Sequence, residues 1–469
     1  MTPSPPAPDA GYDVCVVGGG LAGIAAAIRL ADVGARVTLL ERRSELGGAT
    51  YSFEHGDLVV DTGQHVFLRC YEGYRALLDR LGTGSLTHVQ PRFSVPVLRA
   101  GHRPHVLARA RRLPAPAHLL PALARYPLLS VRERLRAIGA ANALRGVDPD
   151  DPGNDRRAFG DWLAAHGQGP RAVRRLWDLI TVAALNIPAQ SASLALAARV
   201  FRTGLLERAD AGDIGRPLVP LSDLHGRAAL RLLTRLGVRV ATGSRVERVQ
   251  PDASGFRIAV GGAGGRSARE ELAADAVIVA VPHPAAPRLV PAAACDGRDS
   301  WHLLGSAPIV NVHLRYDSAV TRLPFAAAVD SPAQWIFDRT PPAAGEGQYL
   351  VSSVSAADDV IATPARRLVR THAAAIAELF PAARSATLLE AFVTREPHAT
   401  FRQAPGTRTL RPGAATRLPG LVLAGAWTDT GWPDTMEGAV LSGHRAADVV
   451  LAHLRGLPAS PTRNLEGTR

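Results

Sequence analysis

Three glycines and one carboxylate near the N-terminus carry the clearest chemistry in this sequence. Gly18, Gly20 and Gly23 stand in the spacing G-x-G-x-x-G, and Glu41 follows 23 positions after the first. Gly18 allows a tight turn, Gly20 lets backbone approach a pyrophosphate, and Gly23 lets a helix pack close to a sheet. Leu21 and Ala22 would then open a helix whose amides and positive end face the anion. A carboxylate at the spacing of Glu41 meets a ribose 2′-hydroxyl. Arg42 and the pair Gly47-Gly48, with Ala49 after them, offer a second glycine turn whose amides can reach a phosphate. The chemistry these residues support is the binding of a dinucleotide.

Such a site needs a strand, a helix and a second strand to hold it. Residues 13–17 are a valine-rich apolar run that opens on the glycines, and an alanine-rich helical segment follows. Gly34 is placed to cap that helix, and 37–40 form a second apolar strand ending on Glu41. Residues 275–281 read as a buried strand returning to the same parallel sheet, and 421–425 as a further one. The latter leads to a helix from about Thr435, with Asp434 as N-cap, Glu437 three residues later, and Met436, Val440, Gly443, Ala447, Val450 and Leu454 on one apolar stripe. The fold class is α/β: a Rossmann-like nucleotide-binding domain interleaved with an α+β substrate domain.

At 469 residues the chain can bury a large core. The expected division is 12–65, 222–290 and 416–456 for the nucleotide, 66–221 and 291–415 for the substrate, and tails at 1–11 and 457–469. No run of about 18 apolar residues occurs, so no spanning helix is expected. The first 11 residues are proline-rich and lack the basic and apolar regions of a signal peptide, which points to the cytoplasm. Cys15, Cys70 and Cys295 are too scattered for a disulfide framework or a zinc site. The formal charge of +12 rests on arginine alone, because the sequence contains no lysine. With 5% aromatics and no basic stretch interleaved with stacking residues, nucleic acid is not an expected partner. An anionic membrane surface explains the charge better. Between 97 and 145, Arg103, Arg109, Arg111, Arg112, Arg125, Arg132, Arg134 and Arg136 lie among Leu, Ala and Pro. Two readings stay open there: a solvated helical cap, or a monotopic patch that dips into the interface at the inner face of the cell membrane.

Elsewhere, 171–202 reads as helices interrupted at 186–188, and 223–237 as one amphipathic helix. Strands within 238–249 and at 256–260 should form a small antiparallel unit closed by the glycine-rich turn 261–265. A helix is expected over 363–379 and a loop over 341–347. The stretch 60–65, ending Gly63-Gln64-His65, is a short strand broken by a glycine turn; its His reads as a solvated or core residue unless the turn lines a cofactor.

The opening through Gly48 resembles FAD-binding proteins of the glutathione reductase and amine oxidase group. Six further stretches carry a narrower likeness: 60–65, 183–188, 308–313, 334–339, 400–405, and Gly425-Ala-Trp-Thr together with 431–438. They resemble the FAD-dependent desaturase and amine oxidase superfamily, within it the squalene-associated branch of hydroxysqualene dehydroxylases, over nearly the whole chain. The resemblance implies non-covalent FAD, with Val246 at the adenine and Gly63 and Gln64 beside the flavin. It also implies Gly425, Ala426, Thr435 and Met436 at the ring edge, where a helix N-terminus stabilises an anionic reduced ring. Many relatives carry Asp or Glu where this chain has Ala426; either the backbone suffices or Asp429 reaches in. Amine oxidases of the superfamily typically use a lysine near flavin N5, so a chain without lysine points instead to isoprenoid chemistry.

What the resemblance implies is a long-chain isoprenoid substrate in an apolar tunnel, hydroxysqualene losing its hydroxyl and gaining a hydride to give squalene. The step needs a proton donor, tolerance of a transient allylic cation, and a reduced flavin close by. His65 is the first candidate donor. Asp338 is the second, although a pairing with Arg339 or Arg315 would explain it equally well. The electron donor that reduces the flavin is unknown, and the oligomeric state is unknown. A polyprenyl desaturase running the flavin in the opposite direction, and a non-catalytic flavin-containing prenyl-lipid carrier, remain the alternatives.

Overall fold

Asp13–Val17 lies between two parallel partners, Arg36–Leu40 and Ala276–Val279, and both its faces are covered: Val14 and Val16 sit in one apolar cluster, Cys15 and Val17 in another. In the computed structural model, which describes residues 11–261, 270–341 and 347–456, it is the centre of a five-stranded parallel sheet. The order is Arg239–Ala241, Arg36–Leu40, Asp13–Val17, Ala276–Val279, Leu421–Leu423. Helix Leu21–Ala31 buries nine of its 11 residues against this sheet and against the C-terminal helix Met436–Leu454. Gly443 makes that crossing close, since a Cβ there would stand 2.1 Å from the Ala22 carbonyl oxygen.

Two local expectations fail for physical reasons. The helix expected over 223–237 is split into Leu221–Leu224 and Gly226–Arg235. At the break Gly226 lies so close to the second glycine turn that a Cβ would meet the Leu46 carbonyl oxygen at 2.3 Å. The chain bends at His225 to seat the second helix there. The first strand after it, Arg239–Ala241, extends the parallel sheet by pairing with Thr38–Leu40 and does not join the antiparallel unit. That unit is Arg245–Asp252, Gly255–Gly261 and Glu270–Ala274. The rest of its expected glycine turn, most of the 341–347 loop and the tails lie outside the described residues. The interruption at 186–188 is present: Asn186 adopts φ +52 at the end of helix Asp178–Leu185.

The second large sheet has seven strands, in the order Leu388–Thr400, Ala307–Tyr316, Gln348–Val354, Trp335–Asp338, Phe325–Ala328, Ser94–Leu98, His105–Ala108. Val310, Val312, Leu314, Ile336 and Leu350 face helix Ala365–Leu379 and pack with its Leu368, Ala375 and Ile376. Period-two alternation therefore sends the intervening side chains to the opposite face. Among the described residues no helix is long and apolar enough to cross a membrane.

Candidate functional site

The two glycine turns meet at backbone contact. Gly18 takes φ +111, and a Cβ there would stand 2.3 Å from the Ala280 oxygen; at Gly23 it would stand 1.9 Å from the Gly18 oxygen. The second turn folds onto the first, with the Gly47 amide donating to the Gly19 carbonyl at 2.8 Å. Gly48, at φ +61, would place a Cβ 2.7 Å from Gly20 Cα. The amides of Gly20, Ala22, Gly48 and Ala49 find no hydrogen-bond partner among the described residues. Buried Glu41 accepts from the Gly19 amide at 2.6 Å and from the Arg43 amide at 2.9 Å. The Ser244 amide donates to the Glu41 carbonyl at 2.8 Å, which brings the start of Val246's strand beside this strand end.

Gly18, Gly20, Leu21, Ala22, Gly23, Glu41, Gly47, Gly48, Ala49 and Val246 are thus gathered in one place. Arg42 is exposed, and among the described residues its side chain makes no hydrogen bond or ion pair. Its neighbour Arg43 returns to the cradle, donating to the Gly48 carbonyl at 2.7 Å and lying 4.5 Å over the Tyr51 ring. A cradle that a Cβ would fill, with free amides and a carboxylate at the strand end, suits the pyrophosphate and ribose of FAD.

The C-terminal strand closes the arrangement and corrects one expectation. Gly425 turns at φ +135, and its amide donates to Ser442 Oγ at 2.8 Å. Thr435, not Asp434, caps the final helix: its Oγ1 accepts from the Gly438 amide at 3.1 Å, the reach a cap needs. Asp434 is drawn instead to the end of the long strand, accepting from the Phe401 amide at 2.9 Å, and burial pushes its pKa up to about 6. Glu437 accepts from the Gly73 and Tyr74 amides at 3.0 and 2.7 Å and so caps the neighbouring helix Glu72–Leu81; burial pushes it up to about 7. The Met436 and Glu437 amides stay unpartnered among the described residues.

Arg411 holds the loop before that helix. It is buried and donates to the carbonyls of Ala426, Trp427, Thr428 and Trp432 at 2.6 to 3.2 Å. Burial lowers its pKa to about 10. Nothing in its local sequence marks it, since a single arginine before a proline looks like a surface residue. Asp429 is committed elsewhere, to Arg408 at 3.4 Å and the Gly431 amide at 3.3 Å.

His65 and Gln64 are half-buried in the turn after Leu58–Asp61. His65 Nδ1 donates to the Gly63 carbonyl at 3.1 Å. Burial lowers the pKa of the ring, with the Gly63 bond and Asp61 opposing that shift and Arg339 adding to it. Because a carbonyl only accepts, the neutral ring keeps its lone pair on Nε2. The pairings expected for Asp338 are replaced by others. Its carboxylate accepts from Thr340 and from Gln348 Nε2, whereas Arg339 pairs with buried Asp61 and Arg315 with Asp57.

Between the seven-stranded sheet and the nucleotide half lies the face opposite helix Ala365–Leu379. Val95, Val97, Phe325, Ala327, Trp335 and Phe337 form its apolar end and pack with Tyr126, Leu128, Leu129, Ala172 and Ile214. Across the next strands it gives way to Ser353, Asn311, Thr394 and Glu396.

Over residues 21–451 the chain matches the family described as flavin containing amine oxidoreductase. Hydroxysqualene dehydroxylase of Rhodopseudomonas palustris is 30% identical over 446 residues, covering 94% of this chain and 98% of that one. The probable zeta-carotene desaturase of Synechococcus elongatus is 27% identical over 489 residues, covering 93% and 98%. Cyclohexylamine oxidase from Brevibacterium oxydans shares the fold, with a TM-score of 0.69 at 19% identity over 95% of this chain and 99% of that chain. The present chain is an FAD-dependent oxidoreductase, with FAD as its cofactor. Matched from its first helix to its last, the chain belongs to the flavin-containing amine oxidoreductase family.

Proposed function

We propose that this chain removes the allylic hydroxyl of hydroxysqualene reductively to give squalene. The observation that carries the reading is the full-length likeness to hydroxysqualene dehydroxylases, seen also in the Sinorhizobium fredii protein at 28% identity over 94% of this chain. The apolar end of the seven-stranded sheet suits a long uncharged hydrocarbon, and the absence of lysine speaks against amine oxidation. In this reading the Gly20 and Gly48 turns hold the FAD pyrophosphate, Glu41 the ribose, and the Met436 amide the ring edge. Bound FAD, once reduced, supplies a hydride. The apolar end of that sheet would orient the chain of the substrate and keep water from the allylic cation. His65, neutral and with Nδ1 committed to Gly63, serves as an acceptor that positions the hydroxyl, not as the proton donor. Asp338, filled by Thr340 and Gln348, keeps the wall in place.

The test is an anaerobic single turnover. Protein reduced chemically and mixed with hydroxysqualene should reoxidise its flavin and yield stoichiometric squalene; flavin that stays reduced overturns the reading. The likeness to zeta-carotene desaturases supports a second reading, polyene desaturation. In that case the oxidised protein bleaches when given a saturated polyprenyl substrate.

The substrate would be drawn from a membrane surface. Val131 and Leu135, on one face of helix Val131–Leu144, are 68% and 65% exposed beside Arg132 and Arg136. Not every arginine of the 97–145 segment is free for lipid: Arg109 pairs with buried Asp213 at 2.8 Å, and Arg134 donates to the carbonyls of Leu129 and Ala124. Co-sedimentation with anionic vesicles, weakened by Leu135→Gln, checks this contact.

A further inference from the structure

Asn311 sits in the middle of strand Ala307–Tyr316 with 0% exposure, and neither its side-chain nitrogen nor its oxygen has a hydrogen-bond partner. Each such orphan costs about 1–3 kcal/mol, so a buried amide left with two is an anomaly that calls for a missing partner. The register fixes where it points. Val310 and Val312 face helix Ala365–Leu379, so Asn311 faces the other way, flanked by Ser353 and Thr394. His313, two residues along on the same face, confirms the direction through its Nε2 contact with Thr394 Oγ1 at 3.0 Å.

Glu396 shares that face, paired with Ile309 and diagonal to Asn311. Diagonal neighbours on adjacent strands lie about 7–8 Å apart, within reach of one small group held between them. Glu396 is half-buried and makes no hydrogen bond or ion pair among the described residues. Burial raises its carboxyl above the usual range, opposed by Arg43, the arginine that donates to the Gly48 carbonyl. The same face carries Tyr349, Val351 and Phe392, which pack with Leu58, Val60 and Phe53 of the hairpin that follows the second glycine turn, so this face of the sheet lies towards the FAD cradle. The other titratable groups along this face are engaged: His398 with Ser306 Oγ, and His313 with Tyr349 and Thr394.

We propose that Glu396 delivers the proton to the departing hydroxyl and that Asn311 holds the same oxygen. The inference rests on the dehydroxylase reading and names the acid that reading lacks. The carbon–oxygen bond breaks, and the oxygen leaves as water carrying the Glu396 proton. The carbon takes its hydride, with both electrons, from reduced FAD, and the Glu396 carboxylate is reprotonated from solvent. A neutral acid does not repel a developing allylic cation, and the carboxylate it becomes attracts one. An imidazolium would do the opposite.

Glu396→Gln keeps the shape and removes the proton. In the reduced holoenzyme its single-turnover rate should fall by about 10²–10⁴-fold, the usual contribution of a positioned acid. Wild-type turnover should slow as pH rises through the raised pKa of Glu396, and that limb should vanish in Glu396→Gln while Glu396→Asp keeps it. A readout independent of turnover is the infrared carbonyl stretch of a protonated carboxylic acid. Adding hydroxysqualene to the oxidised holoenzyme should shift that band; Glu396→Gln should abolish it, and Asn311→Val should alter the shift. Flavin absorbance shows that each variant is folded and loaded. No wild-type turnover overturns the reaction and this assignment together. Wild-type turnover with Glu396→Gln equally fast and its pH limb intact overturns this assignment alone.

Discussion

The parallel sheet and the seven-stranded sheet make their working surfaces from different material. At the parallel sheet the groups are backbone: the amides of Gly20, Ala22, Gly48 and Ala49 are bare because glycine removes the side chains and a helix begins there. On the seven-stranded sheet, pairing between strands takes up the backbone, so what the sheet presents is side chain: Phe337 and Trp335 at one end, Asn311 and Glu396 at the other. A site of the first kind tolerates no added Cβ at Gly18, Gly23 or Gly48. One of the second kind tolerates changes of volume better than changes of chemistry.

The largest effect should come from adding a side chain to the backbone-built site. Gly48→Val puts a Cβ 2.7 Å from Gly20 Cα in a backbone with φ +61. The protein should purify without flavin colour, measured as flavin absorbance per mole; a fully yellow variant would break the comparison. Next is Arg411→Met, which strips the loop 426–432 of a guanidinium that binds four carbonyls. Two or more charge-assisted bonds lost amount to roughly 4 kcal/mol, visible as a lower denaturation midpoint and weaker FAD binding.

The third effect is one of pH. Glu437 is raised from 4.5 to about 7 and Asp434 from 3.8 to about 6. The folded chain therefore holds more protons than the unfolded one across that window. The stability these groups contribute is fully present at the acid end and is lost as pH rises from about 4 to about 7. Glu437→Gln should flatten the profile by on the order of 3 kcal/mol, measured by urea titration at several pH values; an unchanged slope would refute the assignment. The smallest effect belongs to the other sheet. Phe337→Leu should cost less than about 1.5 kcal/mol, leave FAD content unchanged and alter single-turnover rates only modestly.

The same contrast explains what could be read in the chain beforehand. The glycine turns were legible because their geometry admits a single residue type, so the letter and the task coincide. Choices between neighbours were not. Asp434 and Thr435 both suit a cap, and the decision lies with Phe401, 33 positions away. Arg42 and Arg43 are chemically identical, and only the fold of the second glycine turn brings the latter home. Asn311 and Glu396 are 85 positions apart and become neighbours through strand register alone, which no local pattern records. Likewise Arg239–Ala241 carries strand character, but whether it extends one sheet or opens another depends on an edge left free by Arg36–Leu40.

The placement of Leu421–Leu423 and of the helix that carries Gly443 and Glu437 also bears on how the protein is made. The glycine turns leave the ribosome early, yet the strand that completes their sheet and the helix that covers Leu21–Ala31 come more than 380 positions after Leu30. Until they arrive, the face of the first helix that Met436–Leu454 covers stays open as a surface for chaperones or proteases. Cofactor capture is therefore a late event in biosynthesis. A nascent chain stalled before residue 421 would be a degradation substrate, however complete its nucleotide motif.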